Sequence, residues 1–114
     1  MEQKKKQIAI LGSTGSIGKN LINIIDKDKN KFQIDLLSAH KDHKTLFKQL
    51  KKFNVKNIII TNKKYFYLAK SLNKKKNLNI FNNFENLEKI FKTKLDYVMN
   101  SIVGLDGLVP TFKI

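Results

Sequence analysis

The sequence predicts an α/β fold, a doubly wound and mostly parallel sheet with helices on both faces. Two observations carry that reading. Short apolar runs alternate with helix-periodic segments along the whole chain, the pattern of strands and helices that take turns around a parallel sheet. A cluster of small residues from Gly12 to Gly18 falls between the first strand-like run and the first helix-like one. At 114 residues the chain suits one compact domain, residues 1–114, and is short for a complete two-substrate enzyme.

Taken in order, Gln7 to Leu11 reads as a first buried strand. Ile17, Leu21, Ile24 and Ile25 then recur at helical spacing with Lys19, Asn20, Asn23 and Asp26 between them, which predicts an amphipathic helix lying on the sheet. Phe32 to Ala39 is a second strand, and Leu46, Phe47, Leu50 and Phe53 mark the inner face of a second helix. Asn57 to Ile60 is a third strand, followed by cap candidates Thr61 and Asn62 and a helix carrying Phe66, Leu68, Ala69 and Leu72. The Lys-Asn stretch from Asn73 to Asn79 is a solvated turn. A brief fourth strand, Leu78 to Phe81, precedes a helix with Phe84, Leu87, Ile90 and Phe91, and Tyr97 to Met99 is a fifth strand. Ile102 to Ile114, with Gly104, Gly107 and Pro110, reads as a strand-to-helix loop and the first turn of a helix. So short a helix is marginal without a following element to pack on, and more protein is expected beyond it.

Composition narrows the functional classes. An apolar fraction of 41% with eight Phe supplies core material, so the chain is expected to fold despite its charge. A formal charge of +14 attracts nucleic acid, an anionic membrane surface or a phosphorylated small molecule. All 23 basic residues are Lys, whereas groups that read bases or fork onto phosphate are usually Arg. The charge therefore reads as a solvated surface, and neither a nucleic-acid nor a membrane partner is expected. The absence of Cys excludes disulfides and thiolate metal sites. The polar opening, running straight into a short strand, does not read as a signal peptide or membrane span, so a cytoplasmic location is expected.

Gly12-Ser13-Thr14-Gly15-Ser16-Ile17-Gly18 occupies the place at which α/β sheets bind phosphate. Small residues let the backbone approach a pyrophosphate, Thr14 and Ser16 offer hydroxyls, and the helix N-terminus presents partial positive charge. Gly18 permits close packing of helix on strand. The spacing G-x-x-G-x-x-G is a variant of the dinucleotide fingerprint, which makes the fold Rossmann-like. A P-loop would need Gly at position 13 and Ser or Thr after Lys19, where this chain has Ser13 and Asn20. Beyond the second strand, an NAD-specific domain carries an acidic residue for the ribose hydroxyl. Here the strand ends Ser38-Ala39-His40-Lys41-Asp42. Ser38, His40 and Lys41 can donate to a 2′-phosphate, which favours NADPH, while Asp42 is a nearby acid that keeps NADH in view.

Two segments at opposite ends, Ile10 to Gly18 and Ile102-Val103-Gly104-Leu105-Asp106-Gly107-Leu108-Val109-Pro110-Thr111, together resemble 1-deoxy-D-xylulose 5-phosphate reductoisomerases. Leu37 to Asp42 is similar to that family's second-strand segment. The resemblance implies NADPH as cofactor, Mg2+ or Mn2+ in the intact enzyme, a sugar-phosphate substrate converted to 2-C-methyl-D-erythritol 4-phosphate in non-mevalonate isoprenoid synthesis, and a homodimer. By position it implies that Thr14, Gly15, Ser16 and Ile17 touch the cofactor phosphates, that His40, Lys41 and Asp42 lie near the 2′-phosphate, and that Ser101 and Ile102 approach the nicotinamide half. With Gly12, Ser13 and Gly18 of the loop and Ser38 and Ala39 of the second strand, these are the expected cofactor-binding residues. Asp42 stands where the family commonly has Asn, and Asn100-Ser101 replaces smaller residues. The family's Asn-Lys-Glu motif and metal-binding carboxylates have no counterpart in this sequence. Asp96, Asp106, His40 and His43 form no metal or acid-base cluster by spacing and read as turn or surface residues. No catalytic or metal-binding residue is assigned, and the chain is expected to be the inactive, NADPH-binding amino-terminal portion of such an enzyme. Alternatives are another NADP-dependent reductase, such as an aspartate-semialdehyde dehydrogenase, and a basic nucleic-acid-binding module that would use Tyr65, Phe66 and Tyr67.

Overall fold

Five strands build one parallel sheet in the computed structural model, which describes residues 5–85 and 95–102. The elements are β1 (Lys6–Leu11), α1 (Ser16–Asp26), β2 (Phe32–Ala39), α2 (His43–Phe53), β3 (Asn57–Ile60), α3 (Lys63–Leu72), β4 (Asn79–Phe81) and β5 (Tyr97–Asn100). The sheet order is β4-β3-β2-β1-β5. The chain steps outward from β1 to β4 and returns to place β5 on the other side of β1, so the winding direction reverses at β1. In open α/β sheets that reversal opens a crevice beyond the carboxyl ends of the strands.

The strands are apolar on both faces, as burial between two layers requires. Ile8 and Ile10 of β1, Ile34, Leu37 and Ala39 of β2, and Ile58 and Ile60 of β3 enter one buried cluster with Ile22 and Ile25 of α1, Leu46 and Leu50 of α2, and Ala69 of α3. The three helices thus cover a single face. The opposite side chains, Ala9, Leu11, Leu36 and Ile59, form a second cluster with Phe81, Phe84, Leu95, Val98 and Ile102 packed against it. The expected helix after β4 lies largely outside the described residues, as does the expected loop and helix turn from position 103 onward.

A bulge interrupts the β1–β2 pairing: Ile8 opposes Ile34 but Ala9 opposes Leu36, leaving Asp35 as the extra residue. The extra residue resets the alternation, which is how Ile34 and Leu37 reach the same face. Burial pushes the Asp35 carboxyl above its ordinary value, with Lys56 opposing.

Two helix faces differ from the expected ones. On α1 the buried residues are Gly18, Ile22 and Ile25, whereas Ile17 and Ile24 are 53% and 61% exposed. The helix is rotated so that Gly18, the residue without a side chain, faces the backbone of Gly12 and Ser13 just beyond β1. On α3, Ala69 is buried with Tyr65 and Phe66 against the core, and Leu68 and Leu72 are turned outward. Asn62, of the two cap candidates, caps α3 by accepting the Tyr65 amide at 3.2 Å. No helix among the described residues is long and apolar enough to cross a membrane.

Candidate functional site

All strands being parallel, the carboxyl ends of β1, β2, β3 and β5 share one edge of the sheet. The segments that follow them, Gly12–Gly15, His40–Asp42, Thr61–Asn62 and Ser101–Ile102, lie along that edge. The glycine loop is central because β1 is the strand flanked by both β2 and β5.

The loop is tied down from both neighbours. From the β2 side, Ser38 Oγ accepts the Gly12 amide at 2.8 Å, and the Ser38 carbonyl accepts the Ser13 amide at 2.9 Å. From the β5 side, the buried Ser101 hydroxyl donates to the Leu11 carbonyl at 2.7 Å and to the Gly12 carbonyl at 3.0 Å, and the Ser101 amide reaches the Leu11 carbonyl at 2.9 Å. Gly12 adopts a φ of +73°, and a β-carbon there would stand 3.1 Å from both the backbone nitrogen and Cγ1 of Ile102. The left-handed conformation strains any other residue at that position, and Ile102 would also have to give by a few tenths of an ångström.

Gly18 is demanded by packing. A β-carbon on it would lie 2.2 Å from the Gly12 carbonyl oxygen and 2.6 Å from Ser13 Cα. The first turn of α1 therefore sits directly on the loop it follows. Gly15 is the N-cap of α1, with φ −75° and ψ 174°, and no side chain caps the helix there. The contrast with α2 and α3 is informative, since Asp42 and Asn62 cap those helices with their side chains. The first turn of α1 also carries no acidic residue. An uncapped N-terminus at a crevice presents amide N–H groups and the positive end of the helix dipole to an anion.

Of the other loop residues, Thr14 is half-buried while Ser16 and Ile17 are exposed at the start of α1. Ser13 is fully buried, and its hydroxyl donates to Gln49 Oε1 at 2.8 Å while Gln49 Nε2 donates to the Ser13 carbonyl at 2.9 Å. Its side chain thus shapes the loop from inside, a position expected of a contact residue only through its backbone. Ser38 and Ala39 are buried as well, Ser38 holding the loop and Ala39 accepting the Thr61 amide through its carbonyl. Gln49 was not expected at all. It lies three residues after Leu46 and one before Leu50, on the inward stripe of α2, and that spacing is the signal that could have found it.

Beyond β2 the side chains turn to solvent. The His40 ring pairs through Nδ1 with Thr61 Oγ1 at 2.7 Å, and Lys41 is exposed, its ammonium without an ion pair or hydrogen bond among the described residues. Both Asp42 oxygens serve α2: Oδ1 accepts the Thr45 amide at 3.0 Å and Oδ2 the Thr45 hydroxyl at 2.7 Å. Partial burial pushes the Asp42 carboxyl up, but the two Thr45 bonds, with Lys19 and His43 nearby, outweigh it and hold it below its ordinary value. His43 corrects an expectation: it is buried, at 7% exposure, with its ring against those of Phe47 and Tyr65. Asp96 accepts the Gln7 amide at 2.7 Å, at the far end of β1 from the loop. Asp106 lies outside the described residues, among which no three His, Asp or Glu side chains gather as a metal site would require.

The family model for 1-deoxy-D-xylulose 5-phosphate reductoisomerase matches residues 8–114. The chain belongs to that family. Among curated reductoisomerases, that of Pelagibacter ubique (strain HTCC1062) is 50% identical over 111 residues, covering 96% of this chain and 29% of that protein. The Thermodesulfovibrio yellowstonii reductoisomerase is 41% identical over 110 residues, covering 95% of this chain and 28% of that protein. The chain thus spans under a third of the length of these relatives. The solved structure of the Zymomonas mobilis reductoisomerase in complex with NADPH superposes with a TM-score of 0.64 at 23% identity, over 68% of this chain and 21% of that one. That likeness is one of fold, and it agrees with the Rossmann-like parallel sheet described above.

Proposed function

We propose that residues 1–114 form the NADPH-binding portion of a 1-deoxy-D-xylulose 5-phosphate reductoisomerase, with the cofactor pyrophosphate at the glycine loop and the 2′-phosphate beside Lys41 and His40. The observation that carries this reading is the α1 N-terminus, left uncapped over a loop in which a side chain would be strained at Gly12 and would collide with backbone at Gly18. The residues fit the group: a pyrophosphate supplies the charge that the open helix end lacks, and Gly15 has room on its side of the loop, with its nearest neighbour 3.7 Å from a β-carbon.

Preference for NADPH follows from the end of β2. A carboxylate free to accept the ribose hydroxyls would favour NADH. Asp42, the acid of that segment, has both oxygens engaged by Thr45, which leaves the Lys41 ammonium, unpaired among the described residues, and the His40 ring to meet a phosphate. Ser13, Ser38, Ala39 and Ser101 contribute by holding the loop, and Ile102 by closing over Gly12 toward the nicotinamide half.

In the intact enzyme NADPH supplies hydride for reduction of the rearranged sugar phosphate, yielding 2-C-methyl-D-erythritol 4-phosphate. This chain's residues bind and orient the cofactor for that step. A divalent cation and a homodimer belong to the same reading of the whole enzyme. The described residues offer no ligand set for the metal, so no step through it is assigned to them.

Amide chemical-shift mapping tests the placement. Adding NADPH is expected to move the amides of Thr14 to Gly18 and of His40 and Lys41 together. Shifts scattered over the lysine-rich helix surfaces, with the loop unmoved, would contradict it.

A further inference from the structure

Gln49 is a buried amide on α2, outside the loop and outside every segment expected to touch a ligand, yet both ends of its side chain are engaged with one loop residue. Its Oε1 accepts the Ser13 hydroxyl at 2.8 Å and its Nε2 donates to the Ser13 carbonyl at 2.9 Å. Gln49 is 7% exposed and Ser13 fully buried, so neither bond is exchanged with water at little cost.

The second bond fixes a direction. A trans peptide sets its N–H opposite its C=O. With the Ser13 carbonyl drawn toward α2, the Thr14 amide is turned away from it, and that amide has no acceptor among the described residues. The same bond resists a flip of the Ser13–Thr14 peptide, which would swing the carbonyl toward the place where an anion would sit.

We infer that Gln49 is a positioning residue for the dinucleotide: by clamping the Ser13 peptide it holds the Thr14 amide as a phosphate donor. The inference rests on the proposed NADPH site and names a determinant of its affinity that lies behind the loop. Removing the clamp leaves the carbonyl free to turn, and the loop meets the ligand in a mixture of orientations.

Two variants, each confirmed as folded by circular dichroism, are titrated with NADP+, which tolerates acid better than NADPH. Gln49→Leu keeps the apolar stem and removes both bonds, and a loss of about tenfold in affinity is expected. Gln49→Glu keeps an acceptor for the Ser13 hydroxyl but can donate to the Ser13 carbonyl only when protonated. Its affinity relative to wild type, measured at each pH, is therefore expected to recover as the pH falls from about 7.5 to 5, the range in which a buried Glu takes up its proton. A role limited to stability would leave that ratio flat in folded protein. Wild-type binding with an unchanged Gln49→Leu affinity, or a flat ratio for Gln49→Glu, overturns the inference alone. Failure of the wild-type chain to bind overturns the NADPH site and the inference with it.

Discussion

Gly18→Ala adds one methyl group at the tightest of the three described glycines. The new carbon would stand 2.2 Å from the Gly12 carbonyl oxygen, 2.6 Å from Ser13 Cα and 2.7 Å from the Ser13 carbonyl carbon. All three atoms are backbone and none can swing aside as a side-chain tip would. To restore van der Waals contact α1 must retreat by about 1 Å or the loop must give way. Each route is opposed: α1 is anchored by Ile22 and Ile25 in the core, and the loop by its bonds to Ser38, Gln49 and Ser101. Overpacking costs about 1–3 kcal/mol in sites that can relax, and here the upper end, about 3 kcal/mol, is expected. For a domain of this size that lowers Tm by roughly 10–20 °C. Thermal unfolding followed by circular dichroism reads it directly, with Gly15→Ala as the control, since its β-carbon meets nothing closer than 3.7 Å and should change stability by less than about 1 kcal/mol. A Gly18→Ala protein melting within about 2 °C of wild type would refute the close approach of α1 to the loop.

Two further predictions concern the end of β2. Lys41→Glu is expected to weaken NADPH by about tenfold or more while changing NADH far less, because only NADPH carries the phosphate that the new carboxylate repels; equal losses in parallel titrations would remove Lys41 from the specificity determinants. Asp42→Ala is expected to cost about 1 kcal/mol of stability through loss of the α2 cap, whereas Asp42→Asn keeps the cap. The Asp42 carboxyl is held below its ordinary value of about 3.8 when folded, so its charged-state stabilisation is complete above that value and is lost as the pH falls through the folded value. Denaturant titrations across that acidic range should show the difference between wild type and Asp42→Ala shrinking toward low pH, and a pH-independent difference would contradict the charged cap.

The strands were legible because burial on both faces writes itself as runs of Ile and Leu. The second and third strands match their expected bounds, and the first gains only Lys6. Helix faces were less legible. Ile17 and Ile24 look like core residues in sequence, but the contact that orients α1 is made by Gly18, which no count of apolar side chains registers. The positions of the loop and of the β2 end were readable from the glycines and their place after a strand. The internal work of Ser13, Ser38 and Ser101 was not, because a serine that accepts or donates inside a turn looks the same in sequence as one that faces a ligand. The partnership of Gln49 with Ser13 spans 36 positions and exists only once α2 is laid on the sheet. His43 belongs with these: a titratable residue next to a turn reads as surface, and only the neighbouring rings of Phe47 and Tyr65 explain its burial.

The most direct test of the dinucleotide site is calorimetric titration of the folded chain with NADPH and with NADH at near-physiological salt. Saturable binding of one NADPH per chain, clearly tighter than NADH, is expected from an open helix N-terminus joined to an exposed Lys41. No binding of either nucleotide, or equal affinity for both, would contradict it.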